Sequence, residues 1–377
     1  MKKFGLLLIF ISFFSALNSQ DIKPSKILSK HNGGVTALAF SPDGKTMISG
    51  SEDKTILIWN TTTWDNSKPL TGHTNAVNSI NFLSSGSRFY SGGDYTVRSW
   101  NMRGIELDAT KGPTTHIWSV AVKPDSSQWV AGSFERNIKL YDYKTGKTSN
   151  LPAHSKSVLA VAYSPDGKLM ASGSLDETIL IWNTENYKAV DTLKGHGGNI
   201  FCVTFSHNGK YLASSSKDNT VRLWEVNSGK LLRTFRGHTD AVFSAVFSND
   251  DNYLASGSVD KNVIIWEICN GEQLATLSSH TLPVNEVAFH PSGKLLASAS
   301  LDKTIAIWDF SHEIIVLHYF GNAFTQEKEA SGLFLPKAKD ESKAAYQERQ
   351  IKAQETNAQL VEKYYNQYTQ TIKGVWK

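Results

Sequence analysis

Seven consecutive units of 41 or 42 residues constrain this chain more than any other feature of its sequence. Each unit runs from a His through an apolar alternating segment to a Pro/Asp/Gly-type turn. A Ser-rich segment with an Asp follows, and the unit ends on an aromatic ring. The closing rings are Trp59, Trp100, Tyr141, Trp182, Trp224, Trp266 and Trp308, at successive spacings of 41, 41, 41, 42, 42 and 42 residues. A unit of this size cannot bury its own apolar face and must stack on its neighbours. The 377 residues therefore do not translate into two or three ordinary domains.

Within a unit the apolar pattern alternates with period two and carries no helical stripe, which predicts strands. In the fourth unit, residues 158–163, 169–174, 179–182 and 189–193 read as four antiparallel strands of one sheet. Ser164-Pro165-Asp166-Gly167 turns the first strand into the second. Pro presets φ at the first corner, Asp caps the turn and Gly takes the positive φ.

A His and an Asp recur at a fixed separation: His31/Asp53, His73/Asp94, His154/Asp176, His196/Asp218, His238/Asp260 and His280/Asp302. One such pair could suggest catalysis. Six copies point instead to internal braces, in which a buried imidazole gives its N–H to an Asp in a tight turn. A Ser or Thr in the preceding strand and the closing Trp complete the network.

Gly72-His73, Gly195-His196 and Gly237-His238, each followed by a Trp at the end of the third strand, resemble WD40 repeats. Among the rings that close the units, the strict Trp-Asp pair occurs only at Trp308-Asp309, and Asn or Glu follows the other closing Trp residues. The resemblance covers about 290 of the 377 residues and implies an all-β, seven-bladed propeller of four-stranded antiparallel blades over residues 20–310. It further implies that an N-terminal strand, Lys26-Ile27-Leu28-Ser29, completes the last blade and removes its open edge. The equally apolar 314–320 competes for that role.

The third unit departs from the pattern, with Pro113 in place of His, Glu135 in place of Asp and Tyr141 in place of Trp. Without a His donor, Glu can reach solvent where a buried Asp could not. In the family the narrow (top) face presents three residues per blade. The second inner-strand position holds Thr36, Asn78, Trp118, Leu159, Phe201, Phe243 and Asn285. The first such position holds His116 in the third unit, and the position before the Asp holds Phe134, Leu175, Val259 and Leu301 in units three, four, six and seven. An apolar arc from the third unit onward is more than a monomer usually leaves open, which makes these residues the expected protein-binding surface.

Outside the repeats, Lys2 and Lys3 followed by the apolar stretch 4–17 read as an export signal over residues 1–19, cut before Gln20. The stretch is too short to span a bilayer comfortably, so no transmembrane segment is expected in the mature chain. The Met-Lys-Lys start suggests a bacterial protein placed in the periplasm or outside the cell. The net charge of +4 includes those two lysines, leaving no electrostatic reason to expect nucleic acid. The repeat register separates Cys202 from Cys269 beyond the roughly 7 Å limit for a disulfide. Residues 311–336 read as a mixed linker and 337–377 as a helical tail, either solvated or docked. No metal or cofactor is expected, and a binding scaffold is favoured over an enzyme. The rim carboxylates Glu52, Asp240 and Glu286 stand singly, whereas a hydrolase needs convergent groups. A sugar-binding module using rim aromatics such as Trp118 is the other alternative.

Overall fold

A computed structural model describes residues 22–338 and 340–371; the expected export signal lies outside the described residues. Seven antiparallel sheets follow one another along the chain, six of four strands and one of three. The inner strands Val35–Phe40, Ser79–Phe82, Ile117–Val122, Val158–Tyr163, Ile200–Phe205, Val242–Phe247 and Val284–Phe289 each pack on the inner strand of the next blade. The core is correspondingly divided into one apolar cluster per blade-to-blade seam, each drawing side chains from two adjacent sheets.

Local chemistry explains the turns. Ser164 donates its hydroxyl to Asp166 Oδ1 (2.6 Å) and accepts the Leu169 N–H (2.9 Å), while Gly167 takes φ of 68°. The three-stranded sheet is blade 1. There Leu70 and Asn66 make only isolated bridges to Ile56 and Trp59, and the Ser67 hydroxyl accepts the Ile58 N–H (3.1 Å). Pro69 has no N–H to give, so this outer segment cannot form a continuous ladder.

The N-terminal segment closes the ring as the resemblance implied. Lys26–Leu28 pairs antiparallel with Ile305–Asp309 in the register Lys26↔Ile307, and Leu28 is buried with Trp59, Ile305 and Ile307. Side chains rivet the same seam. Asn285 Nδ2 donates to the Val35 carbonyl (3.1 Å), His290 Nε2 to the Gly44 carbonyl (2.8 Å), and the His290 ring meets the Phe40 edge at 5.1 Å.

The competing segment 314–320 is helical, which corrects the reading of 311–336 as a linker. Helix α1 (His312–Ala330) starts at Ser311, whose hydroxyl accepts the Glu313 N–H (3.2 Å). Ile314, Ile315, Val316 and Phe324 are buried, and the helix kinks at Phe320. Those β-branched and aromatic residues have weak helix propensity, so burial against the ring outweighs local preference here.

Helix α2 (Lys343–Thr371) packs back on α1, and the tail is docked rather than solvated. Tyr368 is fully buried with Tyr253, Phe289 and Phe310 of blades 6 and 7 and with Ile314 of α1, and its ring stacks on Tyr319 at 5.2 Å. The Tyr319 hydroxyl donates to Glu267 (2.7 Å). Tyr253, Glu267 and Phe310 lie at the strand ends away from the His–Asp loops, so the hairpin leaves the top loops open. Neither helix is long and apolar enough to cross a membrane.

Deleting residues 22–30 removes the strand that covers Ile305–Asp309 and leaves an unpaired edge. We expect aggregation or a drop of more than about 3 kcal/mol in stability, read by size-exclusion chromatography and thermal melting. A truncated chain that stays monomeric with an unchanged melting temperature would refute this account of closure.

Candidate partner-binding surface

All six predicted braces form, and they share one geometry. The His Nδ1–H donates to the Asp carboxylate at 2.8–3.1 Å in the pairs His31/Asp53, His73/Asp94, His154/Asp176, His196/Asp218, His238/Asp260 and His280/Asp302. The other ring nitrogen meets Ser49, Ser91, Ser172, Ser214, Ser256 or Ser298 at 2.7–2.9 Å. Each of those hydroxyls also accepts the indole N–H of Trp59, Trp100, Trp182, Trp224, Trp266 or Trp308 at 2.8–2.9 Å.

The donors therefore run one way: Trp N–H to Ser, Ser O–H to His Nε2, His Nδ1–H to Asp. That order needs a neutral imidazole with its proton on Nδ1. The electrostatics agree. Burial lowers the pKa of His154 more than Asp176 raises it. Burial by itself would raise the Asp176 carboxyl, but the Thr178 hydroxyl, His154 and the N–H groups of Ser155 and Thr178 outweigh it and hold it at about 2. These groups hold the loops together and present no free nucleophile or base.

Blade 3 replaces the brace with a different solution. Ala131 stands where the other blades have the bridging Ser, and Trp129 from the second strand stacks on Tyr141 at 5.4 Å. Glu135 is half-buried, and besides reaching solvent it keeps a tie within the loops. Its longer arm accepts both the N–H (2.6 Å) and the hydroxyl of Thr114, as each brace Asp accepts the N–H of the residue after its His.

The second inner-strand positions ring the mouth of the axial channel and divide it in two. In blades 7, 1 and 2, polar side chains cross to the next blade. Thr36 Oγ1 donates to the Val77 carbonyl (2.6 Å), Asn78 Nδ2 to that of Ile117 (2.8 Å) and Asn285 Nδ2 to that of Val35 (3.1 Å). In blades 3 to 6 the same positions hold Trp118, Leu159, Phe201 and Phe243, whose side chains make no such cross-link. Trp118 is 41% exposed and Phe134 49%, with the two rings edge-to-face at 5.5 Å and 87°. Phe201 and Phe243 form a second edge-to-face pair at 5.0 Å, both half-buried.

The remaining predicted residues fall into place less uniformly. Leu175, Val259 and Leu301 are half-buried. His116 is half-buried too, with Nε2 on the Asn75 amide (2.8 Å) and its ring 5.2 Å from Tyr95. Leu159 is the exception. It is only 6% exposed and does not belong on the surface. Its short side chain lies in the strand bulge between Val158 and Ala160, with larger Trp118 and Phe201 at the same level in the flanking blades. Tyr95 was missed. It is 46% exposed and follows Asp94, a position that holds Lys54, Glu177, Asn219, Lys261 and Lys303 in other blades. Comparing that position across the repeats would have found it.

Glu286 is a separate feature of the inner strand of blade 7. It accepts the Ser244 hydroxyl, and burial pushes its carboxyl up to about 7 against that bond and the Val287 N–H. Glu52 and Asp240 accept backbone N–H groups of Gly34 and Ala241. No cluster of three or more His, Cys, Asp or Glu suited to a metal occurs among the described residues. Cys202 and Cys269 are not bridged.

Two measurements check this reading. Ser172→Ala should leave the Trp182 N–H and His154 Nε2 without a partner and cost about 2–4 kcal/mol, from two unsatisfied buried groups. An unchanged melting temperature would show that the relay is not structural. For Glu286 the folded pKa lies above the unfolded value, so the folded state holds the extra proton. Stability should fall as pH rises from about 4.5 to about 7. Glu286→Gln removes that dependence and should gain on the order of 2 kcal/mol over the parent at pH 8 relative to pH 5. Urea titrations at the two pH values decide it. For the braces His31/Asp53, His154/Asp176 and His196/Asp218 the sign is opposite: with both pKa values of each pair lowered, stability declines as pH falls below about 6.5.

Comparison with known proteins agrees with this geometry. Residues 22–60, 64–101 and 271–309 match the WD domain, G-beta repeat. Residues 117–282 match the echinoderm microtubule-associated protein second beta-propeller. The chain is similar to the guanine nucleotide-binding protein subunit beta of Oryza sativa subsp. japonica, 31% identical over 194 residues, covering 45% of this chain and 50% of that protein. It is also similar to the serine-threonine kinase receptor-associated protein of Gallus gallus, 29% identical over 170 residues, 45% of this chain and 47% of that protein. Protein FIZZY-RELATED 3 of Arabidopsis thaliana is 30% identical over 161 residues, 41% of this chain and 33% of that protein. The chain thus spans half or less of the length of these relatives, all of them eukaryotic. The chain is a seven-bladed β-propeller that carries WD40 repeats.

Proposed function

We propose that this protein is a non-catalytic, exported interaction scaffold that holds a partner protein on the apolar arc of its top face. The observation that carries the reading is the exposed Trp118–Phe134 pair, on a lip whose other half is sealed by polar cross-links. Two large rings left in water, braced on a rigid ring, are the kind of anchor that supplies most of an interface's energy. The helical hairpin covers the opposite end of blades 6 and 7, so the top face is free for a partner. The names of two relatives, a subunit beta and a receptor-associated protein, describe proteins that work in assemblies. Export from a bacterial cell rests on the basic and apolar start of the chain. A sugar platform is less well supported, because rings at 87° form a corner and not a flat stacking surface.

Trp118→Ala should leave the melting temperature within about 1 °C, since a rim ring supports no blade, and should reduce partner capture more than about tenfold. Trp182→Ala should do the reverse and destabilise by about 3 kcal/mol or more, because that ring is buried and hydrogen-bonded to Ser172. Equal effects at both positions would defeat the assignment. Mass spectrometry of the native protein should find a chain beginning at Gln20 in the cell envelope or medium; a full-length cytoplasmic chain would contradict export.

A further inference from the structure

The charges around the apolar arc specify the chemistry of what it holds, given the reading above that this arc is the working face. Arg136 and Lys156 lie in the top loops of blades 3 and 4, and Lys217 in that of blade 5. All three are exposed, and none has an ion-pair or hydrogen-bonded partner for its charged head among the described residues. The loops of Arg136 and Lys156 are also bonded to the one that carries Phe134. The Ser157 hydroxyl, one residue after Lys156, donates to the Phe134 carbonyl (2.9 Å), and the His154 N–H donates to the Arg136 carbonyl (3.0 Å). The loops carrying Arg136, Lys156 and Phe134 are thus tied into one unit.

The carboxylates of the same blades are occupied differently. Asp176 accepts from His154, the Ser155 N–H and Thr178. Asp218 accepts from His196, the Gly197 N–H and Thr220, and Glu135 accepts from Thr114. Their lone pairs face the fold. Glu177 is the exposed acid in the top loops of these three blades, and the top loops of blade 6 carry both an exposed Lys261 and an exposed Asp240. A ligand approaching the arc therefore meets apolar rings bordered by unpaired cationic heads, while most of the acid oxygens behind them are already bonded. That arrangement disfavours a cationic guest for the Trp118–Phe134 corner, which bare aromatic rings would otherwise attract.

We propose that the arc binds an acidic segment of a partner protein, with an aromatic or leucine side chain seated against Trp118 and Phe134 and flanking Asp or Glu carboxylates on Arg136, Lys156 and Lys217. Charge-assisted bonds from Arg and Lys to carboxylates supply orientation, and the attraction speeds encounter in a salt-dependent way.

The test is selection of a phage-displayed random dodecapeptide library on the full chain. Selected peptides are then measured by fluorescence anisotropy against the parent, Trp118→Ala and the double variant Lys156→Glu/Lys217→Glu. The expected result is enrichment of Trp, Phe or Leu flanked by Asp or Glu. Affinity should fall at least tenfold in each variant, the melting temperature should be unchanged, and binding should weaken between 50 and 300 mM NaCl, on the order of a few-fold or more. Peptides that need Trp118 but carry neutral or basic flanks, and that bind the double variant equally well, would overturn the acidic partner and leave the surface standing. Failure to obtain any Trp118-dependent peptide would overturn both. A heparin fragment serves as an anchorless polyanion control: binding it as tightly as the peptides, with no dependence on Trp118, would also reject the proposal.

Discussion

A ring of sheets has no end caps, so every blade is covered on both faces only if the seventh meets the first. That contact buries an apolar cluster like the other seams and is fastened by a few further residues. Three residues, Lys26–Leu28, complete the last sheet, and Asn285 and His290 reach the carbonyls of Val35 and Gly44 in blade 1. The remaining seams join neighbours in sequence. Closure is the long-range one, made across some 280 residues, and the seam-by-seam core depends on it. Because the strand comes from the N-terminal side, the chain beyond Asp309 is free to leave the sheet. It does so as α1, which with α2 buries the apolar ends of blades 6 and 7.

The relay from Trp through Ser and His to Asp has a direction, and the direction explains why the repeat tolerates so little partial change. Removing one member orphans its neighbours, and the Trp, Ser and His members are buried. Blade 3 shows the coherent alternative. It lacks the Ser, His and Trp together, fills the space with Trp129 against Tyr141 and Tyr143, and keeps the loop tie through Glu135 to Thr114. The substitutions form a set. The relay also accounts for the absence of free acid–base groups at the six copied His–Asp pairs, where proximity alone might be mistaken for catalysis.

The divided lip of the channel follows from one position per repeat. Thr and Asn there are long enough to reach the next blade's carbonyl, and they stitch blades 7, 1, 2 and 3 together. Trp118, Phe201 and Phe243 do not make that bond, and in blades 3, 5 and 6 the rings instead pair at right angles and remain partly in water. The same substitution that removes a cross-link thus creates the apolar arc. Both halves sit on inner strands held from behind by the buried second strands, so the exposed rings rest on a rigid base.

Much of this was legible in the sequence, because repetition turns one chain into its own alignment. Seven copies distinguished residues that the fold demands (His, Ser, Asp, Trp) from those that vary, and the WD40 resemblance, carried through the register, implied that Trp118 and Phe134 share one rim. The sequence by itself therefore determined the blade, the number of blades, the braces and the direction in which the rim is unusual. It did not determine features that depend on what surrounds a residue. Leu159 and Trp118 occupy the same repeat position, yet one is covered and the other open, because exposure depends on the size of the neighbours across two seams. Residues 312–330 have no repeat to be compared with and weak helical propensity, so only the apolar ends of blades 6 and 7 decide that they fold as a docked helix. Blade 1 loses a regular outer strand for a related reason. Its irregular segment is held by single bridges whose partners are fixed by the sheet and not by the local sequence. Periodic local pattern is written in the chain; burial and docking are set by contacts between parts far apart in it, and those exist only once the ring has closed.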